Sequence, residues 1–296
     1  MSNTNFQKIK IAVIGDVHNH WENEDNKALQ ALGVDLVLFV GDLGNESVNI
    51  ISIIAEIKIP KAVILGNHDA WYTASSMGRK KSPYDHNLED RVTQQLDILG
   101  KNHVGYNKLD FPQFNLSIVG SRPFTWGGNK WKNKTFLRER FGVNNFEDSV
   151  SLIVEKGKET QFENIIFLGH NGPFGLGDQP EDPCGKDWKP LGGDYGDPDF
   201  TEAITTLKKL GKKIPLVTFG HMHHRLRHTQ ERQRIKVKKI DHTIYLNSAS
   251  VPRIKKINHQ FMRNFSLVTL ENYQVTEINL VWINPDHEII EKEIIV

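Results

Sequence analysis

Cysteine is almost absent: Cys184 stands alone among 296 residues. A disulfide within the chain and a thiolate zinc cluster are therefore excluded, and the fold must rest on its core, as suits a reducing compartment. No apolar run approaches the roughly 18 residues of a membrane span. The stretch Met1 to Gln7 is polar and lacks the apolar centre of a secretory signal. A soluble, cytoplasmic protein with no membrane partner is expected. An excess of one charge is lacking too. With 37 Lys plus Arg against 36 Asp plus Glu, nothing draws the whole molecule toward a nucleic-acid polymer or anionic lipid. Low-complexity tracts, Gly/Ser linkers and fixed-period repeats are also missing, and the length suits one large domain or two.

What is present is one pattern with five wordings. An apolar, β-branched run ends in glycine and is followed at once by a side chain able to bind metal. The runs are Ile11 to Ile14 before Gly15-Asp16, Leu36 to Val40 before Gly41-Asp42, Ala62 to Leu65 before Gly66-Asn67, Ile165 to Leu168 before Gly169-His170, and Leu216 to Phe219 before Gly220-His221. Short continuous apolar runs rich in Val and Ile suit strands buried on both faces. Between them, Asn26 to Leu32, Val48 to Ile57, Leu88 to Leu99, Phe146 to Glu155 and Phe200 to Leu210 read as helices. Alternating strand and helix predicts a layered α/β protein. In such folds the ligand crevice lies at the carboxyl ends of the strands, so the five junctions deliver Asp, Asp, Asn, His and His to one place.

Spacing adds to this. Asp16-Val17-His18 and His221-Met222-His223 each put two ligand-type side chains two residues apart, which in an extended backbone face the same side. Carboxylate, imidazole and amide donors without thiolate suit Mn, Fe, Zn or Mg, and the composition allows two ions.

The blocks Gly15-Asp16-Val17-His18, Gly41-Asp42, Gly66-Asn67-His68-Asp69, Gly169-His170 and Gly220-His221-Met222-His223, in this order, resemble the calcineurin-like metallophosphoesterases over about residues 10 to 250. The resemblance implies a four-layer α/β/β/α sandwich in one domain spanning 1–296. The strands Thr243 to Leu246, Phe265 to Leu270 and Val275 to Ile283 would complete its second sheet. It further implies that Asp16, His18 and His223 hold one divalent ion, that Asn67, His170 and His221 hold another, and that Asp42 bridges them. The implied reaction is hydrolysis of a small phosphate ester by a metal-bound hydroxide, with His68 protonating the leaving oxygen or stabilising its charge.

The chain departs from the protein phosphatases of that superfamily, which usually read Gly-Asp-x-x-Asp-Arg-Gly in the second block. Here Asn45 stands where an aspartate would orient the histidine, and Glu46 stands where an arginine would grip phosphate, its charge repelling that group instead. Small phosphodiesters or nucleotides are therefore favoured over phosphoproteins. A phosphomonoesterase, a protein phosphatase or a non-catalytic scaffold on the same fold are the alternatives.

Other residues carry less. His20 and His224 flank ligand pairs and either touch substrate or lie on the surface. The Gly-, Pro- and Asp-rich loop 171–200, which contains Trp188, is expected to face the substrate as a lid, and parts of it are similar to a subgroup from cyanobacteria and plant plastids. Arg122 opens a stretch to Phe141 in which cations alternate with Phe124, Trp126, Trp131 and Phe136. Such a stretch either holds a phosphate and a base or packs as a connector. Arg225 to Lys239, with seven cations, reads as the wet face of a hairpin. No amphipathic seam announces an oligomer.

Overall fold

The structure is a computed structural model and describes residues 8–257 and 259–296; Met1 to Gln7 lies outside them. The chain begins β1 (Lys8–Ile14), α1 (Asn23–Ala31), β2 (Leu36–Phe39), α2 (Val48–Ala55), β3 (Lys61–Val63), α3 (Ser76–Arg79) and α4 (Arg91–Leu99). It continues through β4 (Lys108–Phe111), β5 (Leu116–Gly120), α5 (Lys134–Phe141), α6 (Phe146–Lys158), β6 (Asn164–Leu168), α7 (Pro198–Lys209) and β7 (Lys213–Phe219). The last part is all strand: β8 (Val237–Ile240), β9 (Thr243–Asn247), β10 (Ile254–Ile257), β11 (Gln260–Glu271), β12 (Gln274–Ile283) and β13 (Ile289–Ile294).

These strands form two mixed sheets. One has the order β13-β12-β11-β1-β2-β3, with β10 also paired to β11, and the other runs β4-β5-β6-β7-β9-β8. β1, β2 and β3 are parallel, as are β5, β6, β7 and β9. Period-two alternation in the strands feeds cores on both faces. Ile11, Val13, Leu38, Ile118, Ile166 and Leu216 meet between the sheets. Ala12, Ile14 and Phe39 point the other way, onto Leu29, Ile51 and Val92 of α1, α2 and α4. On the far side Phe167 and Val217 pack with Ile153, Phe200 and Leu207 of α6 and α7. The result is the expected α/β/β/α layering. Each fully buried Leu, Ile or Phe contributes about 1.5–3 kcal/mol of transfer free energy, so the sheets are a stiff base for the loops at their ends.

Differences from expectation have local causes. The helix read from Leu88 starts at Arg91 because the Asp90 carboxylate accepts the N–H of Thr93 at 2.9 Å, a capping geometry. Asn145 caps α6 in the same way at 2.7 Å. Acidic Glu147 and Asp148 in its first turn and Lys156 and Lys158 in its last complement the helix dipole, and the helix runs on to Lys158. α5 lies inside the basic and aromatic stretch, where the sequence predicts no helix: Lys134, Arg138 and Arg140 dilute the apolar period while Phe136 and Leu137 are buried. Of the late strands expected in the second sheet, only β9 joins it. β11 pairs instead with β1, Val268 opposite Ile11, and β12 follows β11, so the tail extends the first sheet. No helix among the described residues is long and apolar enough to cross a membrane.

Candidate metal centre

The carboxyl ends of β1, β2 and β3 in one sheet and of β6 and β7 in the other meet at one crevice. From the first sheet come Asp16, His18, Asp42, Asn67 and His68; from the second come His170, His221 and His223. Their donor atoms are in contact. Asp16 Oδ2 lies 3.1 Å from His223 Nε2, and His18 Nε2 lies 3.2 Å from the same nitrogen. His170 Nε2 is 2.9 Å from Asn67 Oδ1 and 3.3 Å from Asp42 Oδ1. Asp16, His18 and His223 form one group whose donor atoms all lie within 4.8 Å of one another, and Asp42, His170 and His221 form a second.

The two-residue spacings reach this arrangement by a route other than extended backbone. β1 ends at Ile14 and β7 at Phe219, and the next turns are left-handed: φ is 49° at Asp16, 46° at His18, 52° at Asp42 and 65° at His221. Such backbone is rare for non-glycine residues and collects at functional sites. Two glycines allow the loops to touch. A Cβ on Gly41, where φ is 94°, would come within 2.7 Å of His170 Nδ1, and one on Gly66 would lie 2.4 Å from Asp42 Oδ1.

The donors as they stand fit a cation. His170 Nδ1 lies 2.8 Å from the Val40 carbonyl and donates to it, so Nε2 carries a lone pair. That nitrogen faces the Asn67 and Asp42 oxygens at 2.9 and 3.3 Å, an arrangement that a cation would fit. Asp16 Oδ2 is buried without a hydrogen bond of acceptable geometry. Burial, and then the charge of Asp16, push the Asp42 carboxyl well above the usual carboxylate range. At Asp16 burial acts in the same upward direction, but His223, in contact at 3.1 Å, outweighs it and holds the carboxyl low. A bound divalent ion would favour both anions.

The family match is decided over the same blocks: the calcineurin-like phosphoesterase family matches residues 9–225. The chain belongs to the calcineurin-like phosphoesterase family. It is thus a metal-dependent phosphoester hydrolase by family. No curated protein sequence matches it significantly. One solved chain superposes with a TM-score of 0.54 at 12% identity, over 93% of this chain and 98% of its own. The protein TT1561 of Thermus thermophilus gives 0.51 at 10% identity, over 98% of this chain and all of its own, 100%. At these identities the likeness shows the fold alone.

Around the donors, the calcineurin-like chain arranges residues whose positions differ in part from expectation. His68 presents Nε2 at 4.0 Å from Asp42 Oδ2, while Nδ1 donates to Asn45 Oδ1 at 2.6 Å. Its ring stacks on Trp71 at 4.6 Å. Burial, followed by the neighbouring His18, lowers its pKa to about 4. Glu46 does not face the crevice. It is fully buried and accepts the N–H groups of Tyr72 and Thr73 at 2.8 and 2.7 Å and the Tyr84 hydroxyl. The anticipated repulsion of phosphate is therefore corrected, since Glu46 instead pins the segment after His68. Asp69, unremarked in the sequence, accepts from Gly66, Leu43 and Gly44 at 2.7, 2.9 and 3.1 Å. It thereby ties the loop of Asp42 to that of Asn67.

His20 is exposed. His224 is buried, its Nε2 against the Asn247 carbonyl at 2.9 Å. Arg122 is not presented to a ligand: it is buried, paired with Asp197 at 2.7 Å and Asp199 at 2.9 Å, because the helix start that carries these acids covers it. Trp188 does lie beside His221 and His223, on the wall of a cavity. The 171–200 loop that bears it is anchored rather than free. Arg234, expected on a wet hairpin face, is buried and donates to the carbonyls of Pro180, Asp182 and Gly185 at 3.0, 2.8 and 2.7 Å. It also pairs with Asp187 at 3.2 Å. Arg234 Nε also donates to the His223 carbonyl at 3.0 Å, but the partners that bury Glu46 and those of Arg234 in the 171–200 loop lie 26 or more residues away, and nothing local in the sequence marks them.

Proposed function

We propose that this protein hydrolyses small phosphodiesters or nucleotides, in preference to phosphoproteins, at a centre of two divalent ions. Asp16, His18 and His223 would hold one ion and Asn67, His170 and His221 the other, with Asp42 shared. The single observation that supports this best is the cluster of His170 Nε2, Asn67 Oδ1 and Asp42 Oδ1, with the imidazole nitrogen 2.9 and 3.3 Å from the two oxygens, a donor set that a cation would fit. The donor chemistry, three oxygens with four imidazoles, suits Mn, Fe, Zn or Mg.

When bound, such ions polarise phosphoryl oxygens and lower the pKa of water from about 16 to near 7. The protein supplies the rest. Asp42 and Asp16, held by the N–H groups of His68 at 2.8 Å and His221 at 3.0 Å, keep their second oxygens turned into the crevice. Asn45 fixes the His68 ring so that Nε2 faces the leaving oxygen. The negative phosphate beside it favours the imidazolium against burial, and the proton then passes to the departing group. With Glu46 turned inward and Arg122 paired, neither of these two supplies a fork for a phosphomonoester dianion. A cytoplasmic setting is proposed as well, in keeping with the lone, buried Cys184.

The test compares hydrolysis of an aryl monoester, a linear diester, a cyclic nucleotide, a pyrophosphate and a phosphopeptide by manganese-supplemented protein. Fastest turnover of diester or nucleotide is expected. A clear phosphopeptide preference contradicts the substrate assignment, and inert protein contradicts the enzyme.

A further inference from the structure

Beside the proposed metal centre lies a cavity that the donor set leaves unexplained. It holds about 290 Å³ and is lined by Trp126, Trp188, Tyr195, Arg225 and Arg227 together with the ligand-type His221 and His223. One wall is aromatic. The Trp188 and Tyr195 rings meet edge to face at 4.8 Å, and Trp126 leads on to Trp71 at 5.2 Å and so to His68. Its rim is cationic. Arg225 and Arg227 are both exposed, and neither guanidinium pairs with a carboxylate among the described residues. That of Arg227 sits 5.4 Å from the Trp188 ring centre. The wall is also held in place, because Arg234 fastens the segment just before Trp188 to the rest of the fold.

Three features define what fits. An aromatic wall accepts a ring packed against it, guanidinium groups without a carboxylate partner accept a phosphate, and the opening onto His221 and His223 would direct that phosphate to the proposed metal centre. A volume at the lower edge of the about 300–1,000 Å³ typical of small-molecule sites takes one ring system with its sugar, and not a protein surface. We infer that this cavity is a base subsite and that the substrate is a nucleotide, its heteroaromatic base stacked on the Trp188 and Trp126 wall and its phosphate drawn in by Arg225 and Arg227. The inference rests on the phosphoesterase reading for the direction in which the phosphate points.

The deciding experiment is a calorimetric titration of the full chain, with and without manganese, using adenosine 5′-monophosphate and ribose 5-phosphate. The two share sugar and phosphate and differ only in the base. The monophosphate is expected to bind about ten-fold tighter or more, an advantage lost in Trp188→Ala and kept in Trp188→Phe. Trp126→Leu provides the same reading should Trp188→Ala fail to fold. Equal affinity of the two ligands for the unaltered protein overturns the subsite, as does an advantage that survives both Trp188→Ala and Trp126→Leu. Hydrolysis of methyl p-nitrophenyl phosphate, which has no nucleoside, separates the two claims. Turnover of that ester without base selectivity removes the subsite alone, whereas base selectivity without turnover of any phosphate ester removes the enzymatic reading alone.

Discussion

The floor of the crevice and its wall are built in opposite ways. Every donor of the floor sits two to four residues beyond the end of a buried parallel strand, so its position is fixed by the sheets themselves. The wall comes from long excursions: Trp126 follows β5, Trp188 and Tyr195 lie in the 171–200 loop, and Arg234 reaches back across some fifty residues to hold that loop. A floor set by strand ends tolerates little change, which suits chemistry. The wall is held largely by one buried cation, which touches the floor only through the His223 carbonyl at 3.0 Å, and so varies more readily than the strand ends, which suits selectivity.

The comparison can be broken most severely at Asp42. Replacing it by Ala removes the shared oxygen and should lower hydrolysis by about 10³-fold or more while at least one ion per chain is lost, as read by elemental analysis. His68→Ala comes next, with turnover expected to fall by about 10²–10⁴-fold and metal content unchanged. At the wall, Arg234→Met leaves Asp187 and four carbonyls, that of His223 among them, without their partner. Urea unfolding should report a loss of about 3–5 kcal/mol, with KM raised and metal content intact. Metal loss in that variant would mean that floor and wall are one unit. The smallest effect is expected for Trp71→Leu, which removes the ring under His68. Stacking is worth about 0.5–1.5 kcal/mol, so turnover should change less than about ten-fold.

The same contrast governs what could be read in advance. Asp16, Asp42, Asn67, His170 and His221 each follow an apolar run closed by glycine, a signal carried by a handful of neighbouring residues, and the structure gathers all of them. The layered fold was legible for the same reason. What was hidden depends on distant partners. Glu46 looks like a charge in a catalytic block until Tyr72, Thr73 and Tyr84 are seen to enclose it. Arg122 looks free until Asp197 and Asp199 close over it. Arg234 looks like one cation among many. Even at the floor, the left-handed turns at Asp16 and His221 replaced the extended geometry that their spacing suggested. Asp69 could have been found, since it completes the Gly66-Asn67-His68 block and a carboxylate there meets the free N–H groups of two adjoining turns.

The most direct test of the account is the metal content of the purified chain set beside its rate. Protein reconstituted with manganese should carry two ions per chain and hydrolyse methyl p-nitrophenyl phosphate, and chelation should abolish both together. Full hydrolysis by protein stripped of metal would contradict it.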